Sequence, residues 1–118
     1  MARHISTGKL GEHLAVEFLN KKGFTILHRN WRHKHWEVDI IASLQDVVHF
    51  VEVKTRRTEK YGYPEEGVSR KKLLNVMAAA EEFQYQHPEW KKIQFDILSI
   101  FIDSGDKEAY LFIEDVYV

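Results

Sequence analysis

The sequence predicts an α/β domain: a mixed sheet of about five strands with helices packed against its faces. Three observations predict it. Two segments, one near the N-terminus and one after residue 69, repeat their apolar residues at helical spacing. Five shorter runs rich in Val, Ile and Phe read as strands between polar turns. The passage from residue 47 to residue 102 runs strand–helix–strand and is long enough for a parallel crossover, whereas the other links are hairpin-short.

Each element has a local cause. Ser6 or Thr7 can cap a first helix that runs to about residue 22. Leu10, Leu14 and Phe18 recur every fourth residue, and Ala15, Val16 and Leu19 widen the apolar arc. Gly23 suits the left-handed position that ends a helix. "FTILHRN" is a short strand, "WRHKH" a basic loop and "WEVDIIA" a second strand. "SLQD" turns the chain into "VVHFVEVK", the third strand, and "RRTEKYGYPEEGV" is a surface loop punctuated by Gly62, Pro64 and Gly67. Ser69 caps a second helix whose apolar face is Leu73, Leu74, Val76, Met77, Ala80 and Phe83, with Pro88 as the stop. "IQFDILSIFI" and "AYLFIEDVYV" close the sheet around a "DSGD" turn.

With 118 residues the chain forms one domain, 1–118, with one core. It lacks cysteine, which excludes disulfides, thiolate metal sites and a cysteine nucleophile. No apolar run is long enough to span a bilayer and the N-terminus lacks a signal-peptide core, so a cytoplasmic protein without a membrane partner is expected. The formal net charge of −1 conceals a polarised chain. Residues 1–72 hold 14 Lys and Arg against 9 Asp and Glu, whereas residues 73–118 hold 3 against 9. Such polarity fits either a positive face for a polyanion or a set of solvated loops.

The strands raise the functional question, because acids interrupt them. If Ala42 and Val47 flank a four-residue loop, Glu37 falls opposite Glu52 and Asp39 diagonal to Glu52. Glu37, Asp39, Glu52 and Lys54 then share one face of the hairpin, away from its turn. Carboxylates crowded together repel each other unless a cation intervenes. A hard divalent ion such as Mg²⁺ or Mn²⁺ suits oxygen ligands and needs only one or two carboxylates. At about 100° per residue Glu12 also falls inside the apolar arc of the first helix, where an acid is costly without a partner. The bland readings are a surface ion pair between Glu37 and Lys54, and an arc-edge Glu12 reaching water.

The order Asp39, then Glu52-Val53-Lys54, resembles the PD-(D/E)xK pattern of the restriction-endonuclease-like nucleases. In the context of "GEHLAVEFLNKKGFTILHRNWR", "EVDIIA" and "FVEVKTRR" it looks like the YraN-like family, UPF0102, of bacterial proteins described as endonucleases, and the likeness continues to "QFDIL". It is more distantly similar to the archaeal Holliday-junction resolvases, which are dimeric and Mg²⁺-dependent. The resemblance implies a three-layer restriction-endonuclease-like domain, with Asp39 and Glu52 as metal ligands, Lys54 as the catalytic lysine and Glu12 as a helix-borne acid joining the site. Glu37 matches the acid of the family's G-E-I-D segment and is a further metal candidate, although Trp36 stands where that glycine is expected.

Basic residues cluster around these positions. Arg29, Arg32 and Lys34 alternate with Trp31 and Trp36, a pattern suited to stacking bases and gripping phosphates, or equally to a core edge. Arg56, Arg57 and Lys60 follow the acids directly, and Arg70, Lys71 and Lys72 begin the second helix. His33-x-His35 lacks a nearby third ligand for zinc. The leading expectation is a Mg²⁺- or Mn²⁺-dependent endonuclease acting on DNA, with branched or junction DNA and a homodimer implied by the resolvase likeness. A non-catalytic nucleic-acid-binding protein keeping the nuclease fold is the alternative, and a hydrolase of small phosphorylated substrates is a third class.

Overall fold

The computed structural model describes residues 7–57 and 68–116. The elements run α1 (Thr7–Lys21), β1 (Thr25–His33), β2 (Trp36–Leu44), β3 (Val47–Arg56), α2 (Arg70–Gln86), β4 (Lys92–Ile102) and β5 (Glu108–Ile113). One five-stranded sheet has the order β1-β2-β3-β4-β5. The β3–β4 pair is parallel and the other neighbours are antiparallel. The fold is therefore the expected mixed α/β arrangement in three layers, of the restriction-endonuclease-like kind.

The two helices cover opposite faces. Leu14, Ala15 and Leu19 of α1 pack with Ile40, Ala42, Val51, Leu98, Ile100 and Ile102. Val76, Ala79, Ala80 and Phe83 of α2 pack with Val38, Ile41, Val48 and Phe50. On β2 the strict alternation of a strand breaks, because Val38 joins the α2 side and Ile40 the α1 side. Asp39 sits at that break.

Local chemistry sets the helix ends. Gly23 has φ +95°, and the amides of Gly23 and Phe24 donate to the carbonyls of Asn20 and Leu19, closing α1 in a Schellman turn. Ser69 Oγ accepts the Lys72 backbone N–H at 3.1 Å and caps α2. Of the two proposed α1 caps, Thr7 is the first helical residue and Ser6 lies outside the described residues, as does Lys60.

Three expectations need correction. Trp31, Arg32 and His33 belong to β1, so the basic loop shrinks to Lys34 and His35, with Lys34 at φ 57°. An edge strand with one solvated face tolerates charged residues, and charge alone misplaced the boundary. The β2–β3 turn contains only Gln45 and Asp46, both left-handed, and Leu44 pairs with Val47. On α2, Leu74 and Met77 are exposed, because the inward arc comprises Val76, Ala79, Ala80 and Phe83.

Candidate active site

The two-residue turn moves the hairpin register by two positions from the expected one. The β2–β3 ladder runs from Leu44↔Val47 to Ile40↔Val51. Beyond its last pair, side chains take over the backbone's partners. The amide of Asp39 donates to Glu52 Oε2 at 3.2 Å, and the amide of Val53 donates to Asp39 Oδ2 at 2.8 Å. The two acids thus clasp each other's strand where the ladder ends.

They reach this clasp from different sides rather than from one shared face. Asp39 lines an open cleft of about 280 Å³ with Gly8, Glu12, Val53, Lys54 and Thr55, on the α1 side. Glu52 is buried, and its Oε1 lies 3.2 Å from Lys72 Nζ on α2. The expectation of a common face failed because β2 changes its alternation at Asp39. Glu52 nevertheless feels the charge of Asp39, and Lys54 borders the cleft that Asp39 lines.

Glu12 comes to the cleft through Gly11. A methyl group at Gly11 would overlap the Thr55 hydroxyl and lie 2.9 Å from Thr55 Cβ, so only glycine lets α1 rest this closely on β3. Glu12 Oε1 accepts a hydrogen bond from Asn30 Nδ2 at 2.9 Å, with Arg29 NH2 at 3.8 Å. Arg29 and Asn30 are consecutive yet both face Glu12. Asn30 makes this possible with a left-handed backbone, φ 51°, which Asn tolerates well.

The charges are not at rest. Burial, reinforced by the Asp39 carboxylate, pushes Glu52 up to about 7 despite the pull of Lys72. Burial also raises Asp39, against the Val53 amide and Lys72, with Glu37 and Glu12 adding to the rise. Burial lowers Lys72, but the charge and hydrogen bond of Glu52, with the charges of Asp39 and Glu37, together outweigh it and its pKa ends above the ordinary value. Two acids held in this way disfavour their own ionisation until more positive charge arrives.

The donors suit a hard divalent cation. Asp39 Oδ1 and Glu52 Oε1 are not held by backbone amides, and two carboxylates with water suffice for Mg²⁺. Among the described residues, no three His, Cys, Asp or Glu side chains are grouped as a ready-made cage. Glu12 is across the cleft, tied to Asn30, and Glu37 is paired with Arg32 Nε at 3.0 Å. Among the described residues a softer metal such as zinc has no such set either, and His33 stacks between Trp31 and Trp36 instead.

The basic residues divide between acids and solvent. Arg29, Arg32, Arg57 and Lys72 are partnered by Glu12, Glu37, Asp106 and Glu52. Lys34, Arg70 and Lys71 are exposed, and the Nε of Arg56 is buried without a hydrogen-bond partner among the described residues. Trp31 packs edge-on against Phe83, at the margin of the α2-side core. A second cleft of about 330 Å³, lined by Trp36, Ala78, Glu81, Glu82 and Tyr85, holds acids and no cation, so it does not suit a phosphate.

Sequence reasoning assigned Lys72 to phosphate contacts and missed its pairing with Glu52. A signal existed: a lysine in the first turn of a helix opposes the dipole and calls for a facing acid. Gly11 carried another, since glycine inside a helix weakens it unless something approaches closely.

The model of the uncharacterised protein family UPF0102 matches residues 11–100, a span that holds Glu12, Asp39, Glu52, Lys54 and Lys72. The chain belongs to this family. A UPF0102 protein of Dictyoglomus thermophilum is 46% identical over 101 residues, covering 85% of this chain and 86% of the relative. Another, of Rhodococcus opacus, is 36% identical over 118 residues, covering 99% of this chain and 100% of its own length. A third, of Caldicellulosiruptor bescii, is 46% identical over 98 residues, covering 81% and 82%. In this UPF0102 protein no described helix is long and apolar enough to cross a membrane.

Proposed function

We propose that this UPF0102 protein is a divalent-metal-dependent endonuclease that hydrolyses DNA phosphodiester bonds. One observation carries the reading: two acids, Asp39 and Glu52, face each other's strand where the β2–β3 ladder ends and are raised by burial, with Asp39 lining an open cleft. An arrangement that opposes its own charge is a mark of functional sites. In this reading Asp39 and Glu52, with Glu12 across the cleft, hold Mg²⁺ or Mn²⁺.

When bound, such an ion polarises a phosphoryl oxygen and acidifies a water molecule. The chain's own residues do the remainder. The Asp39 and Val53 amides fix the two carboxylates so that neither must reorganise. Lys54, on the cleft wall, meets the scissile phosphate and the negative charge that grows on it. Asn30 and Arg29 hold Glu12 in place, while exposed Lys34, Arg70 and Lys71 are available to flanking phosphates.

Selectivity for branched DNA, a homodimer and a cytoplasmic location belong to the same proposal, the first two through the likeness to junction resolvases. An open cleft supports a polymer substrate over a small phosphorylated molecule, which needs an enclosed pocket. The test is to incubate the protein with labelled junction, flap and linear DNA while titrating Mg²⁺ or Mn²⁺. Cleavage that disappears in Asp39→Ala and Lys54→Ala supports the reading. Metal-independent DNA binding without cleavage by the wild type points to the non-catalytic alternative.

A further inference from the structure

We propose that the Lys72 ammonium is a built-in counter-ion for Glu52, displaced outward into solvent when a divalent cation takes its place. The inference rests on the nuclease reading above and deepens it.

The geometry is specific. Glu52 has one oxygen held by the Asp39 amide and the other facing Lys72 Nζ at 3.2 Å. Its side chain is 4% exposed, whereas that of Lys72 is 41% exposed. The acid is therefore enclosed and the lysine reaches in from outside. The base of Lys72 is anchored, because its own backbone N–H donates to the Ser69 cap at 3.1 Å. Its four-carbon stem is free to swing about that fixed point.

The charges around Lys72 explain why it sits there. Glu52, Asp39 and Glu37 all favour its ammonium, and Glu37 is further offset by Arg32. Remove a cation from two buried acids and repulsion remains, so a tethered positive charge relieves it. A lysine in the first turn of α2 gains nothing from the helix dipole, which leaves Glu52 as its reason for pointing inward. An ammonium and a doubly charged ion cannot share one buried carboxylate oxygen, because their repulsion is strong where water is scarce. The ammonium then yields and swings out to solvent, where its side chain is already 41% exposed.

Acylation of lysine amines in the full-length wild-type protein tests this without any substitution, read lysine by lysine from peptide masses. Saturating Mg²⁺ raises the labelling rate of Lys72 by about threefold or more as its amine leaves Glu52, while distant Lys92 is unchanged. Calorimetry supplies the second arm: Lys72→Met binds Mg²⁺ about tenfold more tightly at alkaline pH, since an internal competitor is gone. If Mg²⁺ binds the wild type but Lys72 labelling stays flat and Lys72→Met binds no more tightly, the counter-ion inference falls and the nuclease reading stands. If Mg²⁺ does not bind the wild type at all, both fall together.

Discussion

The amide of Asp39 donates to the Glu52 carboxylate, and that single bond shows what the acids are doing inside these strands. The ladder between β2 and β3 stops at Ile40↔Val51, and Asp39 and Glu52 supply the acceptors that the next backbone carbonyls would have offered. A neutral Asn–Gln pair can make the same bonds without burying charge. The choice of two acids therefore costs stability that the fold alone does not require, a cost the proposed metal site would account for.

Removing that charge separates function from folding. Glu52→Gln is expected to lower metal-dependent cleavage by about 100-fold or more while leaving the fold intact. Its melting temperature at pH 8 equals or exceeds that of the wild type, because the charge buried at position 52 is gone. Initial cleavage rates and thermal melts of the same preparations check both halves.

The metal-free protein gains stability as the medium is acidified. Glu52 titrates at about 7 when folded, against 4.5 for the ordinary value, and Asp39 is shifted in the same direction. A raised folded-state pKa means that the folded form binds the proton more tightly. The stabilisation is complete below about 4.5 and is lost as pH climbs through about 7. Between these limits the change is on the order of 3 kcal/mol, visible in urea unfolding at several pH values. Glu52→Gln flattens the profile; an equally steep profile in that variant assigns the effect elsewhere.

Gly11 sets the height of α1 above the sheet. Gly11→Ala forces the helix away from Thr55 and carries Glu12 with it, at a cost of about 1–3 kcal/mol for the overpacked contact. Chemical denaturation reads the loss. Adding Thr55→Ala removes the nearest overlap and recovers part of it.

A second buried polar cluster lies away from the cleft. His49 Nδ1 is 2.6 Å from Asp96 Oδ2, and Asp96 Oδ1 accepts from Gln94 Nε2 and the Asp115 amide. Asp96→Ala leaves these donors unpaired and is expected to destabilise by about 3 kcal/mol or more. Cleavage per folded molecule is unaffected, which residual activity normalised to the folded fraction measures.

The parts legible in the sequence were those decided by local chemistry. Gly23 and Ser69 announced the helix ends because a left-handed turn and an N-cap each demand few residue types. Asp39, Glu52, Lys54 and Glu12 could be singled out as acids and a lysine where apolar residues were expected. The register was not legible, because Gln45-Asp46 lacks the glycine that usually marks a two-residue turn. Nor could spacing show that β2 changes faces at Asp39, across from the left-handed Asn30 of β1. The Lys72–Glu52 contact depends on where α2 lands over the sheet, which is a tertiary outcome.

The most direct measurement is an anomalous difference map from crystals soaked in Mn²⁺. The account predicts one strong peak within coordination distance of the Asp39 and Glu52 carboxylates, on the wall of the cleft that Glu12 and Lys54 border. A map without a peak there, or with manganese held only by surface acids elsewhere, contradicts it.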